Sequence, residues 1–217
     1  FVNLAHKNGS KIMLDGCQAI PHMKVSVEEL GCDFYAFSGH KMLGPTGVGV
    51  LYGKEELLDK MEPYQTGGGI IKTVTMENSS WTSIPHKFEP GTPMIAQVIA
   101  LSPAADYLEN CLESHDNKLM EYAIEKMNSI NGISIYGDAK DRTPILSFNI
   151  EGVHSLDLAH FLDFEGITIR SGHHCCQPLM QALDISACAR ASFYFYNTFS
   201  EVDFLVEKIN KAIQVIK

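Results

Sequence analysis

One lysine in this chain stands where an amine can do chemistry. Lys41 closes Ser38-Gly39-His40-Lys41, between an apolar run, Phe34-Tyr35-Ala36-Phe37, and a turn-forming Gly44-Pro45-Thr46-Gly47. A buried strand that runs into a glycine-rich loop holds out one primary amine, the group that forms imines with carbonyl compounds. Asp15 closes a second apolar run, Lys11-Ile12-Met13-Leu14, and is followed by Gly16. If the two strands are neighbours, a carboxylate and an amine share the crevice at the carboxyl ends of strands, where open α/β sheets place their ligands. That pair suits pyridoxal phosphate, with the carboxylate keeping the pyridine nitrogen protonated and the lysine holding the aldehyde carbon. Gln18 is close enough in sequence to reach the ring's phenolic oxygen, and Ser38 and His40 flank the lysine as donors to a phosphate. The plainer alternative is a solvated lysine and an Asp-Gly turn, and spacing alone does not separate the two.

A second constellation is Arg170-Ser171-Gly172-His173-His174-Cys175-Cys176-Gln177-Pro178. Glycine after a strand frees the backbone to project the next side chains, and imidazoles beside a thiol favour the nucleophilic thiolate. Two other readings compete. Adjacent cysteines are often small buried hydrophobes. A metal held by His173 to Cys176 is disfavoured, because neighbouring side chains of extended chain point to opposite faces. Arg190, just after Cys188, opens an aromatic strand, and its fork suits either a substrate carboxylate or one of the chain's acidic side chains.

Composition narrows the class of ligand. Among 217 residues, 17 Lys and Arg stand against 26 Asp and Glu, a formal charge of -9, which argues against nucleic acid and against an acidic membrane surface. No apolar run approaches the length of a membrane span, and the first residues lack the pattern of a signal peptide. Six cysteines without a C-x-x-C pair read as free thiols in a reducing compartment, cytoplasmic or an organellar matrix. The chain starts at Phe1, in what reads as the run-up to a strand, so an N-terminal part is expected to be missing.

These residues need a scaffold, and the periodicity supplies one. Ser26-Val27-Glu28-Glu29 starts a short helix that Gly31 stops, 33–37 and 47–52 read as strands, and a helix comes next over 54–61. Short strands between short helices predict a mainly parallel sheet with helices on its faces. Residues 62–92 are irregular, with room for one hairpin. A long helix over 94–109 starts behind Pro93, and the domain boundary is expected there: residues 1–93 as the large cofactor-binding part, 94–217 as a linking helix and a small domain. Helical spacing from Ser114 to Gly132, strands at 133–136 and 144–150, a helix over 155–165, strands at 167–170 and 189–196, and a last helix from Ser200 predict a small α/β layer.

In order along the chain stand Asp15-Gly16-Cys17-Gln18, Phe37-Ser38-Gly39-His40-Lys41, Gly44-Pro45-Thr46-Gly47, Phe88-Glu89-Pro90-Gly91-Thr92-Pro93, Arg170-Ser171-Gly172-His173-His174-Cys175 and Arg190-Ala191-Ser192. From about Lys11 to the C-terminus the sequence resembles the group II (SufS-type) cysteine desulfurases, which supply sulfur for iron–sulfur cluster assembly. The resemblance implies a fold-type-I, aminotransferase class V-like pyridoxal-phosphate enzyme, normally a homodimer. It implies Lys41 as the Schiff-base lysine, Asp15 on the pyridinium nitrogen, Gln18 on the phenolic oxygen, and Ser38 and His40 on the phosphate. Thr92 would reach the phosphate of the neighbouring subunit, Arg190 would hold the carboxylate of L-cysteine, and Cys175 would accept the sulfur as a persulfide. An acceptor protein or thiol would take it onward, and selenocysteine lyase activity is an expected side reaction.

The sequence departs from that family in three places. The N-terminal segment is absent, with the aromatic residue that stacks on the cofactor, which implies a complementary N-terminal chain. Cys176 stands where the family usually has alanine, and the connection around Asn110-Cys111 is several residues shorter. Two competing expectations are a pyridoxal-phosphate lyase or transaminase that uses no thiol, and a non-catalytic, partner-binding fragment.

Overall fold

The structure, a computed structural model, describes residues 1–112, 115–139 and 142–217. It divides into two units, Phe1–Leu112 and Glu113–Lys217. The first runs α1 (Val2–Lys7), β1 (Met13–Asp15), α2 (Val27–Leu30), β2 (Phe34–Ser38), a 3₁₀ turn (Gly39–Lys41), β3 (Gly49–Gly53), α3 (Glu55–Leu58), β4 (Ile71–Val74), β5 (Ser79–Trp81) and α4 (Ile95–Cys111). β1 pairs parallel with β2, β2 antiparallel with β3, and β4 and β5 form the hairpin. The short connection from β2 to β3 turns the chain straight back, which forces the antiparallel pair. α2 begins and ends as its sequence predicts: Ser26 Oγ accepts the Glu29 N–H at 3.2 Å, and Gly31 takes φ 66 at the C-terminus.

The chain start, expected as the run-up to a strand, is instead the helix α1. It has a buried partner. His6 Nε2 donates to Asp33 Oδ2 at 2.8 Å, the Ile12 N–H donates to the same oxygen at 2.9 Å, and Lys54 Nζ reaches Oδ1 at 3.2 Å. Asp33 is 1% exposed, and the His6 hydrogen bond, with that from Ile12 next in weight, holds its carboxyl well below the ordinary carboxylate range. A carboxyl with a depressed folded pKa contributes stability that is full above its unfolded value, near 3.8, and fades as pH falls toward the folded one. Asp33→Asn is therefore expected to unfold more readily at pH 7 and to lose less stability than the native chain between pH 5 and pH 2. Denaturant titrations across that range check this; a constant gap between the two proteins would remove the carboxylate's charge from the account.

The boundary in the structure falls after Leu112, beyond the expected 93, because α4 packs on the lysine loop. A Cβ built on Gly44 would lie 2.7 Å from Leu101 Cδ1 and 2.8 Å from the Gly39 carbonyl oxygen. Backbone stands on one side and the helix on the other, so there is no room to yield. Gly44→Ala is expected to lower stability by about 1–3 kcal/mol, the usual range for overpacking. An unchanged denaturation midpoint would show that the loop moves freely away from α4.

The second unit runs α5 (His115–Asn128), β6 (Ile133–Tyr136), β7 (Ile145–Ile150), α6 (Ser155–Phe164), β8 (Arg170–Gly172), α7 (Gln177–Ala182), β9 (Cys188–Ser192) and α8 (Phe199–Ile216). Ser114, where the helical spacing of α5 begins in the sequence, lies outside the described residues. The sheet is antiparallel throughout in the order β6-β7-β9-β8. Alternate residues of β7, Leu146, Phe148 and Ile150, are buried against Leu119, Ala123 and Met127 of α5, Leu158 and Leu162 of α6, and Val202, Leu205 and Ile209 of α8. Each fully buried side chain of that kind contributes about 1.5–3 kcal/mol of transfer free energy, so this cluster is the unit's main support.

In the first unit α3 stops at Leu58 where a helix to 61 is expected, and β3 is shifted to Gly49–Gly53; in the second unit β9, β8 and α8 differ from expectation. β9 stops at Ser192, and Tyr194, Phe195 and Tyr196 lie beyond it as a nest of tilted rings with centroids 4.8–5.5 Å apart. β8 starts at Arg170 rather than Ile167. α8 is capped two residues before the expected Ser200: Thr198 Oγ1 accepts the Glu201 N–H at 3.3 Å and Glu201 Oε2 accepts the Thr198 N–H at 2.7 Å. Helix α7 is an addition to the expected elements, although Pro178 in its first turn is a sequence signal for it. Among the described residues no helix is long and apolar enough to cross a membrane.

Candidate active site

Parallel register sets Asp15 opposite Ala36, two residues before Ser38, so the carboxyl ends of β1 and β2 meet at one edge. The Gly16 N–H donates to the Ala36 carbonyl at 2.7 Å, and Asp15 Oδ1 accepts the Cys17 N–H at 2.9 Å. Cys17 Sγ lies 3.4 Å from Ser38 Oγ. The Cys17 thiol and its backbone N–H hold the Asp15 carboxyl below its usual range, and the Lys41 charge adds a smaller pull in the same direction. Position 16 must be glycine here, since a Cβ would stand 2.0 Å from the Tyr35 ring. The buried Tyr35 hydroxyl has no hydrogen-bond partner among the described residues, and burial pushes its pKa up.

Lys41 ends the turn Gly39–Lys41, which is tied down by the Gly39 N–H on Val48 O at 2.9 Å and by the Gly44 N–H on Gly39 O at 2.9 Å. Its side chain is exposed, as are Asp15, Gln18, His40 and Thr92. Asp15, Cys17, Ser38 and Lys41 thus form one cluster in the first unit. Among the described residues no hydrogen bond ties Gln18, His40 or Thr92 to it.

The second unit holds the other cluster. Gly172 (φ 118), His174 (φ 52) and Cys175 (φ 58) all take left-handed backbone, unusual for two side-chain-bearing residues in a row. The turn leaves the Cys175 thiol exposed, with Arg170 Nη2 donating toward Sγ at 4.0 Å. His174 Nε2 is 3.0 Å from the Cys188 carbonyl oxygen while its Nδ1 is buried without a partner among the described residues, and burial lowers its pKa. Burial pushes the Cys188 thiol up, away from reactivity. In the β8–β9 ladder Arg170 stands directly opposite Arg190, two like charges that repel unless an anion lies between them. Arg190 Nε is also buried with no hydrogen-bond partner among the described residues. Among the described residues no group of three or more His, Cys, Asp or Glu is arranged to hold a metal ion.

Sequence reading names Asp15, Ser38, Lys41, Cys175 and Arg190 but gives no role to Cys17 or Arg170, although both lie in the motifs. Cys17 becomes visible only through its bonds to Asp15 and Ser38, and Arg170 only through the strand register. The donor set at the first cluster fits pyridoxal phosphate: an ionised carboxylate for a basic ring nitrogen, an accessible amine for an aldehyde, and a hydroxyl at the same strand edge for a phosphate.

A carboxylate and a lysine at the carboxyl ends of neighbouring strands, with a smaller α/β unit after them, define a class of α/β enzyme fold. The chain belongs to the aminotransferase class-V family, whose model matches residues 1–205. It is 50% identical over 216 residues to a probable cysteine desulfurase of Halalkalibacterium halodurans, covering 98% of this chain and 53% of that protein. The cysteine desulfurase CsdA of Escherichia coli, solved in an S-sulfonic acid form, superposes with a TM-score of 0.92 at 38% identity, covering 100% of this chain and 55% of the other. The apo cysteine desulfurase of Thermococcus onnurineus NA1 also gives 0.92, at 36% identity, covering 98% and 55%. The chain therefore spans about half the length of the relatives it matches.

Proposed function

We propose that this chain carries the lysine and thiol machinery of a pyridoxal-phosphate cysteine desulfurase of the group II type, converting L-cysteine to L-alanine and leaving the sulfur as a persulfide on Cys175. The observation that carries the reading is the exposed Cys175 thiol on its left-handed turn beside Arg170, a feature that a transaminase or simple lyase does not need. Kinship with cysteine desulfurases supports it.

Bound at the first cluster, pyridoxal phosphate supplies an electron sink for an amino acid's α-carbon. Asp15, held ionised, would keep the ring nitrogen protonated; Gln18 would bond the phenolic oxygen, Ser38 and His40 the phosphate, and Thr92 the phosphate in a neighbouring subunit of a homodimer. Lys41 would hold the aldehyde carbon, and its amine would serve as the base for the α-proton of L-cysteine. Arg190 grips the substrate carboxylate by its fork. The Cys175 thiolate attacks the substrate sulfur; the carbon–sulfur bond breaks, its electron pair stays with carbon, and alanine leaves after protonation. A sulfur-acceptor protein or thiol collects the persulfide, which connects the reaction to iron–sulfur cluster assembly. Selenocysteine, attacked at selenium in the same way, is a second substrate. Free-thiol chemistry of this kind suits the cytoplasm or an organellar matrix, and the cofactor site is completed by N-terminal sequence on the same or a complementary chain.

The test uses the chain in the polypeptide that its source makes. With pyridoxal phosphate and L-cysteine it should yield alanine and protein-bound sulfane sulfur in equal amounts, and borohydride should fix a pyridoxyl group on Lys41. An adduct on Lys41 with pyruvate and sulfide in place of alanine and persulfide would leave a lyase; no adduct at all would leave a non-catalytic binding subunit.

A further inference from the structure

Cys175 and Cys176 share a loop but not an environment. Inside the second unit, a pocket of about 390 Å³ is walled by Tyr136, Ile145, Leu179, Leu183, Cys176 and Arg190 among others, and Cys175 is not in its lining. Both thiols are exposed, but the backbone turns between them: Cys175 sits in the left-handed region at φ 58 and Cys176 at φ -136, so Cys175 lies by Arg170 while Cys176 contributes to the pocket lining. The pocket is mostly apolar yet contains a guanidinium whose buried Nε has no hydrogen-bond partner among the described residues, and such a group is stabilised by an anion brought into the same space.

We propose that Cys176 is a second sulfur carrier, which takes the sulfane sulfur from Cys175 and holds it as a persulfide anion in this pocket beside Arg190. The source of that sulfur rests on the desulfurase reading; the transfer does not. The Cys176 thiolate attacks the outer sulfur of the Cys175 persulfide, a new S–S bond forms on Cys176, and the old bond breaks with its electron pair leaving as the Cys175 thiolate. Nothing is oxidised or reduced overall. Consecutive Cα atoms are about 3.8 Å apart and the outer sulfur stands about 2 Å beyond Sγ, so the transfer requires the loop to turn the Cys176 thiol toward Cys175. Once the substrate carboxylate has gone, Arg190 is free to balance the persulfide charge. Transfer also returns Cys175 to its thiolate state for another turnover.

The experiment loads the full chain, without cofactor, with inorganic tetrasulfide, which donates one sulfane sulfur to a thiolate and leaves as trisulfide. Aliquots are alkylated over time and the persulfide is placed on Cys175 or Cys176 by tandem mass spectrometry. The expected result is label first on Cys175 and, after a lag, on Cys176. Cys176→Ser should lose the late label and keep all persulfide on Cys175, and Cys175→Ser should label Cys176 more slowly than the native chain does. Persulfide that remains on Cys175 throughout, or Cys176 labelling equally fast and without lag in Cys175→Ser, overturns the relay. A parallel arm with pyridoxal phosphate and L-cysteine separates the two claims: sulfur that moves after tetrasulfide but never arrives from L-cysteine supports the relay and sinks the desulfurase reading.

Discussion

Cys175→Ser is expected to abolish persulfide formation from L-cysteine, with a fall in alanine production of about 10³-fold or more, as when an enzyme loses its nucleophile. A serine hydroxyl is not ionised near neutral pH and is a poor nucleophile toward sulfur, whereas a thiolate is a good one. The change should leave the fold intact. Cys175 is exposed and its φ of 58 is no harder for serine than for cysteine. Binding of pyridoxal phosphate, read from absorbance and from borohydride trapping on Lys41, should be unaltered, because the cofactor ligands belong to other elements. Undiminished desulfuration by Cys175→Ser together with loss in Cys176→Ser would move the nucleophile one residue along the loop. Survival in both would remove thiol chemistry altogether.

Lys41→Ala should be equally damaging for a different reason. The amine is proposed to anchor the cofactor and then to move the α-proton, and removing a general base typically costs about 10²–10⁴-fold in rate. Two measurements divide these roles. Borohydride should no longer fix a pyridoxyl group to the chain, and small primary amines added to the medium should restore part of the α-proton exchange of L-cysteine. Substitution is structurally cheap here, since Lys41 is exposed and the turn beneath it is held by the backbone bonds of Gly39 and Gly44. Removing its charge should also let the Asp15 carboxyl titrate slightly higher, a minor effect beside the hydrogen bonds from Cys17. A pyridoxyl adduct found on another lysine of the native chain would end the assignment.

Much of the local structure is legible in the sequence. Ser26 and Gly31 bracket α2 as their side-chain chemistry demands, and β7 alternates because its residues alternate. The departures share a cause. At the chain start, His6 is drawn to a buried Asp33 far along the sequence, and no window of neighbours contains that attraction. Thr198 takes the cap of α8 because Glu201 reaches back to its N–H, while the equally plausible Ser200 lies inside the helix. The aromatic run at 194–196 has strand propensity but lies past the end of β9, turned over by Asn197, whose side chain accepts the Tyr194 N–H at 2.8 Å.

For the site the division is sharper. Residue types and order, through the family resemblance that they carry, were enough to name the cofactor and to single out Cys175 as the candidate nucleophile: a lysine in a glycine-bounded loop, an Asp-Gly after an apolar run, and a thiol in a histidine-rich turn stand together in that family's order. Only tertiary structure could decide what acts on those groups. Parallel register brings Cys17 onto both Asp15 and Ser38, antiparallel register sets Arg170 against Arg190, and left-handed backbone parts two adjacent thiols. Ionisation and reactivity depend on distances of a few ångströms between residues far apart in the chain. Such distances are set by strand pairing and backbone dihedrals, and spacing in the sequence does not encode them.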